Sequence, residues 1–236
     1  MVPDHVRAVG RSALAELIGT ALLVATVIGT AIASARLTQD LAMQLFVNAF
    51  ATGLVLVALI LALSPVSAAF NPVVTLVERH FGAISTPVAV AHVLAQIAGA
   101  GIGALLAAGM FDSPLTWSTS SRTGSHLLLG EVVATFGLLV VVFGVVRTGR
   151  APQVAFAVGG YIGAAYWFTS STSFANPAVT LGRTLTTSAA GIAPASVLGF
   201  VAAQLVGGLI AVLAIRALYP QAPVLAADLT HLQDPA

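Results

Sequence analysis

Long apolar runs broken by short polar stretches account for almost the whole chain. Six runs reach or approach the length of a membrane crossing, at residues 13–35, 41–63, 87–110, 126–146, 152–168 and 195–218. A helix of about 20 apolar residues spans the roughly 30 Å hydrocarbon core. Polar breaks lie between them: Arg36 to Asp40, Phe111 to Ser125, and the turn from Arg147 to Pro152. Two shorter apolar pieces follow Asn71 and Asn176. Each begins Asn-Pro, a helix cap followed by the residue best tolerated at the first helical position. The first piece meets Glu78-Arg79-His80 at once, so it is only about 9 Å long at roughly 1.5 Å per residue. Such a half-helix dips into the membrane and returns. The pattern therefore predicts six spans and two half-helices whose tips meet near the midplane.

The pattern repeats. Asn71-Pro72-Val73-Val74-Thr75-Leu76 is matched by Asn176-Pro177-Ala178-Val179-Thr180-Leu181. Glu16 and Thr20 are matched by Glu131 and Thr135, and Gln96 by Gln204. The repeats cover about residues 11–110 and 126–218, within a single domain taken as 1–236. Three spans per repeat is an odd number, so the second copy is inverted in the membrane. Inverted repeats with broken helices put their site at the midplane between them. Glycines spaced for close helix approach recur in the spans, including Gly99 with Gly103 and Gly159 with Gly163.

Composition narrows the class. Charged residues make up 7 % of the chain, against about 25 % in a soluble domain, which excludes a water-soluble globule. The net charge of +1 gives no reason to expect a nucleic-acid partner. There is no cysteine, hence no disulfide framework and no thiolate metal site, and no pattern calls for a cofactor or an enzyme's nucleophile–base pair. The run after the N-terminus is longer than a signal-peptide core and reads as a retained first span. All basic residues are arginine. With both termini in the cytoplasm, Arg7, Arg11, Arg79, Arg147, Arg150 and Arg216 lie inside, and Arg36, Arg122 and Arg183 lie outside. This agrees with the positive-inside rule and points to a multi-pass protein of the inner or plasma membrane.

Paired Asn-Pro-Val/Ala motifs, one per half of a six-span chain, resemble those of the aquaporin and aquaglyceroporin family over almost the whole length. The resemblance implies an all-α membrane fold, an aquaporin-like inverted repeat, and a homotetramer with one pore per chain. It implies passive conduction of water and small neutral solutes across the lipid bilayer, with no cofactor. Asn71, Pro72, Val73, Asn176, Pro177 and Ala178 then form the central pair of tips. Their amides donate to a passing oxygen, and the positive half-helix ends repel cations.

Acids inside a membrane are functional by default. Glu16 and Glu131 are either coupling carboxylates of a secondary transporter or acceptors for the broken loops. The resemblance favours the second. Val179 departs from the family, which usually has arginine after the second Asn-Pro-Ala. This resembles a bacterial branch associated with arsenic handling. Arg183, one turn further on, either reaches back to replace the lost charge or snorkels to the outer surface, and the surface is the expected place. The other expected filter residues are Thr52, Ala164 or its neighbour Ala165, and Ser173 or Phe174. Tyr166-Trp167-Phe168 is expected to be an interfacial belt. A filter without arginine points to glycerol, urea and neutral metalloid hydroxides such as arsenous acid, alongside water. A strict water channel and an ion-coupled transporter are the alternatives.

Overall fold

The computed structural model describes residues 4–220, and all the regular secondary structure among them is helical. The Ala/Pro-rich tail, expected to fray, lies almost wholly outside the described residues. Eight helices follow in order: α1 Asp4–Leu37, α2 Leu41–Leu63, α3 Pro72–His80, α4 Thr86–Met110, α5 Ser125–Arg147, α6 Val154–Phe168, α7 Pro177–Gly182 and α8 Pro194–Leu218. Short 3-10 turns at Ala151–Gln153 and Arg183–Leu185 precede α6 and follow α7.

Polar punctuation sets the boundaries. Asp40 caps α2, its Oδ1 accepting from the N–H groups of Ala42 and Met43 at 2.8 and 3.1 Å. Asn71 caps α3 and Asn176 caps α7 in extended backbone, each followed by proline. Five helices (α1, α2, α4, α5 and α8) are long and apolar enough to cross a membrane. The sixth crossing, α6, has only 15 residues because Pro152 sits in a 3-10 turn rather than in the helix. At its far end the chain leaves the helix at Thr169 for extended backbone. The first helix begins earlier than its apolar run, at Asp4 rather than near Ala13.

The two halves pack alike. Helix α1 lies against α4 as α5 lies against α8, and α2 meets α6 across the middle. The half-helices cross over: α3 touches α8, and α7 touches α4. Close approach here depends on absent side chains. A Cβ on Gly99 or Gly103 would sit 2.4 or 2.3 Å from a carbonyl oxygen of α1, at Leu17 and Ala21. A Cβ on Gly207 would sit 2.5 Å from the Val132 carbonyl of α5. These glycines therefore serve contacts within the chain. Large apolar side chains such as Phe50, Leu94, Leu129, Leu198 and Leu209 face outward. Glu16, Thr75, Gln96, Glu131, Thr180 and Gln204 are fully buried. This inverts the pattern of a soluble protein and suits a lipid surround.

Candidate functional site

Two non-helical limbs, residues 64–70 and 169–175, carry the chain from α2 to Asn71 and from α6 to Asn176. Backbone away from helices at this depth needs partners from within the protein. Each limb finds them on one buried carboxylate. Glu16 accepts from the backbone N–H of Ala69 at 2.8 Å and of Phe70 at 2.6 Å, and from the Ser67 hydroxyl. Glu131 accepts from the backbone N–H of Phe174 and of Ala175, both at 2.9 Å. Gln96 Nε2 bridges Glu16 at 2.7 Å and Thr75 at 2.9 Å. Gln204 Nε2 bridges Glu131 at 2.6 Å and Thr180 at 3.0 Å. Each acid thus links a spanning helix, a limb and, through glutamine, a half-helix.

The limbs end in left-handed backbone at Phe70 (φ 49°) and Ala175 (φ 48°), equivalent positions that cost of order 1–3 kcal/mol each without surrounding restraint. The restraint is reciprocal. Asn71 Nδ2 donates to the Ala175 carbonyl and Asn176 Nδ2 to the Phe70 carbonyl, both at 2.7 Å. Their Oδ1 atoms cap their own half-helices, Asn71 from Val73 N–H at 2.9 Å and Asn176 from Ala178 N–H at 3.0 Å. Each amide nitrogen has two hydrogens, so one remains for a passing acceptor.

Both asparagines line a cavity of about 580 Å³ within the bundle. At one mouth it is bounded by Glu78, Ala83 and Ile84, and at the other by Val179 and Arg183. Thr52, Ser173 and Val179 all line it. The Ser173 hydroxyl is buried without a partner among the described residues. Pro72, Val73, Pro177 and Ala178 are buried behind the tips and form the first turns of the half-helices.

Three expectations need correction. Ala164 is exposed on the far side of α6 and does not line the cavity. Tyr166 does, buried with 4 % exposure, its hydroxyl 3.3 Å from that of Thr52. The aromatic run therefore divides: Trp167 and Phe168 face outward, and Tyr166 turns in. The reason is helical geometry, since residues two apart on a helix point to different faces. Arg183 is not at the surface either. It is 2 % exposed and lines the cavity, because the 3-10 turn after α7 directs it inward. His92 also belongs to this lining, near the Glu78 mouth, and its Nε2 lies 2.9 Å from the Ser12 hydroxyl.

Glu78 was also missed as a lining residue. A signal was present: counted from its asparagine, Glu78 occupies the same place in α3 as Arg183 does beyond α7. Nothing in the sequence showed that two segments would clasp around Arg183. Ser118 N–H donates to the Thr184 carbonyl at 2.7 Å, and Ala193 N–H to the Ser120 carbonyl at 2.8 Å. The Arg122 guanidinium donates to the carbonyls of Gly191 and Ala189 at 2.8 and 2.9 Å.

The model of the family described as Major intrinsic protein matches residues 5–166. The chain is 46 % identical over 218 residues to aquaglyceroporin AqpS of Rhizobium meliloti (strain 1021), covering 91 % of this chain and 93 % of that one. Its fold is similar to that in the X-ray structure of the aquaglyceroporin from Plasmodium falciparum, with a TM-score of 0.72 at 18 % identity. That match covers 92 % of this chain and 99 % of the other.

Proposed function

The chain belongs to the major intrinsic protein family, and from that premise we propose how its path selects solutes. It is a multi-pass membrane channel, not an enzyme, and passes small uncharged solutes such as glycerol down their own gradients. The observation that carries the reading is the reciprocal pairing of Asn71 and Asn176 inside a cavity lined from Glu78 to Arg183. Amide donors at the centre and limb carbonyls alongside match a hydroxylated solute, which both donates and accepts. Two half-helix N-termini aimed at that centre disfavour cations.

The solute range we assign is glycerol, urea, neutral metalloid hydroxides such as arsenous acid, and water. Thr52, Ser173 and Val179 shape the passage, and valine there leaves the wall without a donor. Arsenous acid rests on the resemblance to the arsenic-associated branch. The assembly is a homotetramer with one path per chain, in the inner or plasma membrane, with both termini cytoplasmic. The arginine distribution supports that orientation.

An ion-coupled transporter would need free titratable groups at the centre. Glu16 and Glu131 are each engaged by three or more donors, which argues for anchoring instead. In proteoliposomes, glycerol flux is expected to rise linearly with its gradient and to ignore proton and sodium gradients. Accumulation of glycerol against its own gradient would overturn the channel reading.

A further inference from the structure

Residue 179 carries no charge, yet the path is not without a cation. A second cavity of about 190 Å³ lies beyond the first at the Arg183 mouth. Among the described residues, only Tyr166 and Arg183 line both. They therefore stand at the partition a solute crosses between mouth and centre. Helix α7 ends at Gly182, and Arg183 follows Val179 by one turn, on the same side.

The guanidinium is held there by two restraints. Its Nε donates to the Ala190 carbonyl. Its plane lies over the Phe174 ring, with Cζ 3.3 Å from the ring centroid. Phe174 is itself fixed, edge-on to Phe200 at 5.0 Å, and also carries Arg122 at 4.9 Å. A cation over an aromatic face is electrostatically favoured, more so when desolvated. Nε is the only nitrogen of Arg183 with a hydrogen-bond partner among the described residues, which leaves the terminal nitrogens free to meet a solute. Near the same narrow place are the paired hydroxyls of Thr52 and Tyr166, and the unpartnered Ser173 hydroxyl.

We propose that Arg183 is the charge-selecting residue of this channel, placed one turn nearer the mouth than residue 179, with Tyr166 as its opposing wall. The positive charge raises the barrier to cations from the mouth side before they reach the half-helix tips. The free N–H groups orient a hydroxyl oxygen, and the Thr52, Tyr166 and Ser173 hydroxyls complete its hydrogen bonds. Val179 then forms an apolar wall between the guanidinium and Asn176, widening the path without removing its charge. The proposal rests on the channel reading, because it assigns a filter to that same path.

The test uses the full-length protein in proteoliposomes, with Arg183→Gln, Arg183→Lys and the double variant Val179→Arg/Arg183→Gln. Methylammonium leak and glycerol flux are measured together. Arg183→Gln is expected to raise the leak relative to glycerol flux by about tenfold, equivalent to ~1.4 kcal/mol off the cation barrier. Arg183→Lys keeps the charge and is expected to keep the leak low. The double variant returns a guanidinium to the path and is expected to lower the leak again. An Arg183→Gln channel that assembles with the wild-type leak ratio overturns the proposal. So does an Arg183→Lys channel that leaks as much as any charge-free variant, a comparison that holds with Arg183→Leu if glutamine does not fold. Wild-type protein that passes no glycerol would instead sink the channel reading, whatever the variants do.

Discussion

Residues 67–71 and 172–176 occupy equivalent places in the two halves, and their anchors can be compared atom by atom. In both, two consecutive backbone N–H groups donate to the two oxygens of one buried glutamate. In both, a glutamine ties that glutamate to a threonine of the half-helix. The limbs differ in what lies outside the anchor. Ser67 adds a further donor to Glu16, and its equivalent Thr172 adds none to Glu131. The second limb holds left-handed backbone at Thr172 and Ser173 as well as at Ala175, whereas the first holds it only at Phe70. Beyond the half-helices the copies diverge completely: α3 runs on to Arg79 and His80, while α7 breaks into the turn that carries Arg183. The shared part holds the backbone at membrane depth. The parts that differ face the solute at the two mouths.

Removing an anchor is expected to have the largest effect. Glu16→Ala strands three limb donors and Gln96, and Glu131→Ala strands two and Gln204. An unsatisfied buried donor costs roughly 1–3 kcal/mol. Both variants should melt well below wild type in detergent, Glu16→Ala the lower of the two. Glutamine at either place keeps an acceptor and should lose less. If Glu131→Ala is the less stable, then strain in the second limb outweighs the donor count, and the anchors are not equivalent.

The anchors were legible in the sequence because they are copied. Glu16 with Glu131, Gln96 with Gln204 and Asn71 with Asn176 each carry a partner that reports on it. The helix order and most boundaries were legible too, because apolar runs and Asn-Pro caps are local signals. The Arg183 mouth was not. Tyr166 and Ala164 lie two apart on α6 and so on different faces, and an apolar run alone does not say which face turns inward. Arg183 reads as a surface residue until the segments at Ser118–Arg122 and Ala189–Ala193 are seen to close over it. Those contacts link positions far apart in sequence and have no copy in the first half.

Val74 and Val179 are the next pair to separate. They are equivalent in the half-helices, and both line the cavity. Only Val179 lies one turn from Arg183. Val179→Arg would place a second guanidinium beside the first in a low-dielectric passage, where like charges repel more strongly than in water. It is expected to cut glycerol, urea and arsenous acid flux about tenfold, the equivalent of ~1.4 kcal/mol on the barrier, and to reduce water flux much less. Stopped-flow light scattering on vesicles of matched protein content measures both. Unchanged solute flux in a correctly assembled variant would remove Val179 from the constriction and leave Arg183 and Tyr166 to define it.

The smallest effect is expected at the opposite mouth, where Glu78 holds the place that Arg183 holds here. Glu78 is only half-buried, whereas Arg183 is 2 % exposed. No hydrogen bond fixes the Glu78 carboxyl among the described residues, and the residue lines the cavity. The half-helix tips are positive and, taken alone, would favour a small anion at the centre. Burial and the nearby Glu16 push the Glu78 carboxyl up to about 8, so above that pH, where the test is run, a carboxylate at the mouth opposes that preference. Glu78→Gln is therefore expected to raise chloride leak while leaving methylammonium exclusion in place. The rise should be modest, about twofold, because a half-buried charge is partly screened by salt, over a Debye length of about 8 Å at physiological strength. It should shrink further at 1 M salt, where that length is about 3 Å. Cation leak through Arg183→Gln should change little with salt, since its site is closed off from bulk water. A chloride leak in Glu78→Gln that is insensitive to salt would mean that the carboxylate acts inside the narrow path, and that the two mouths are more alike than their burial indicates.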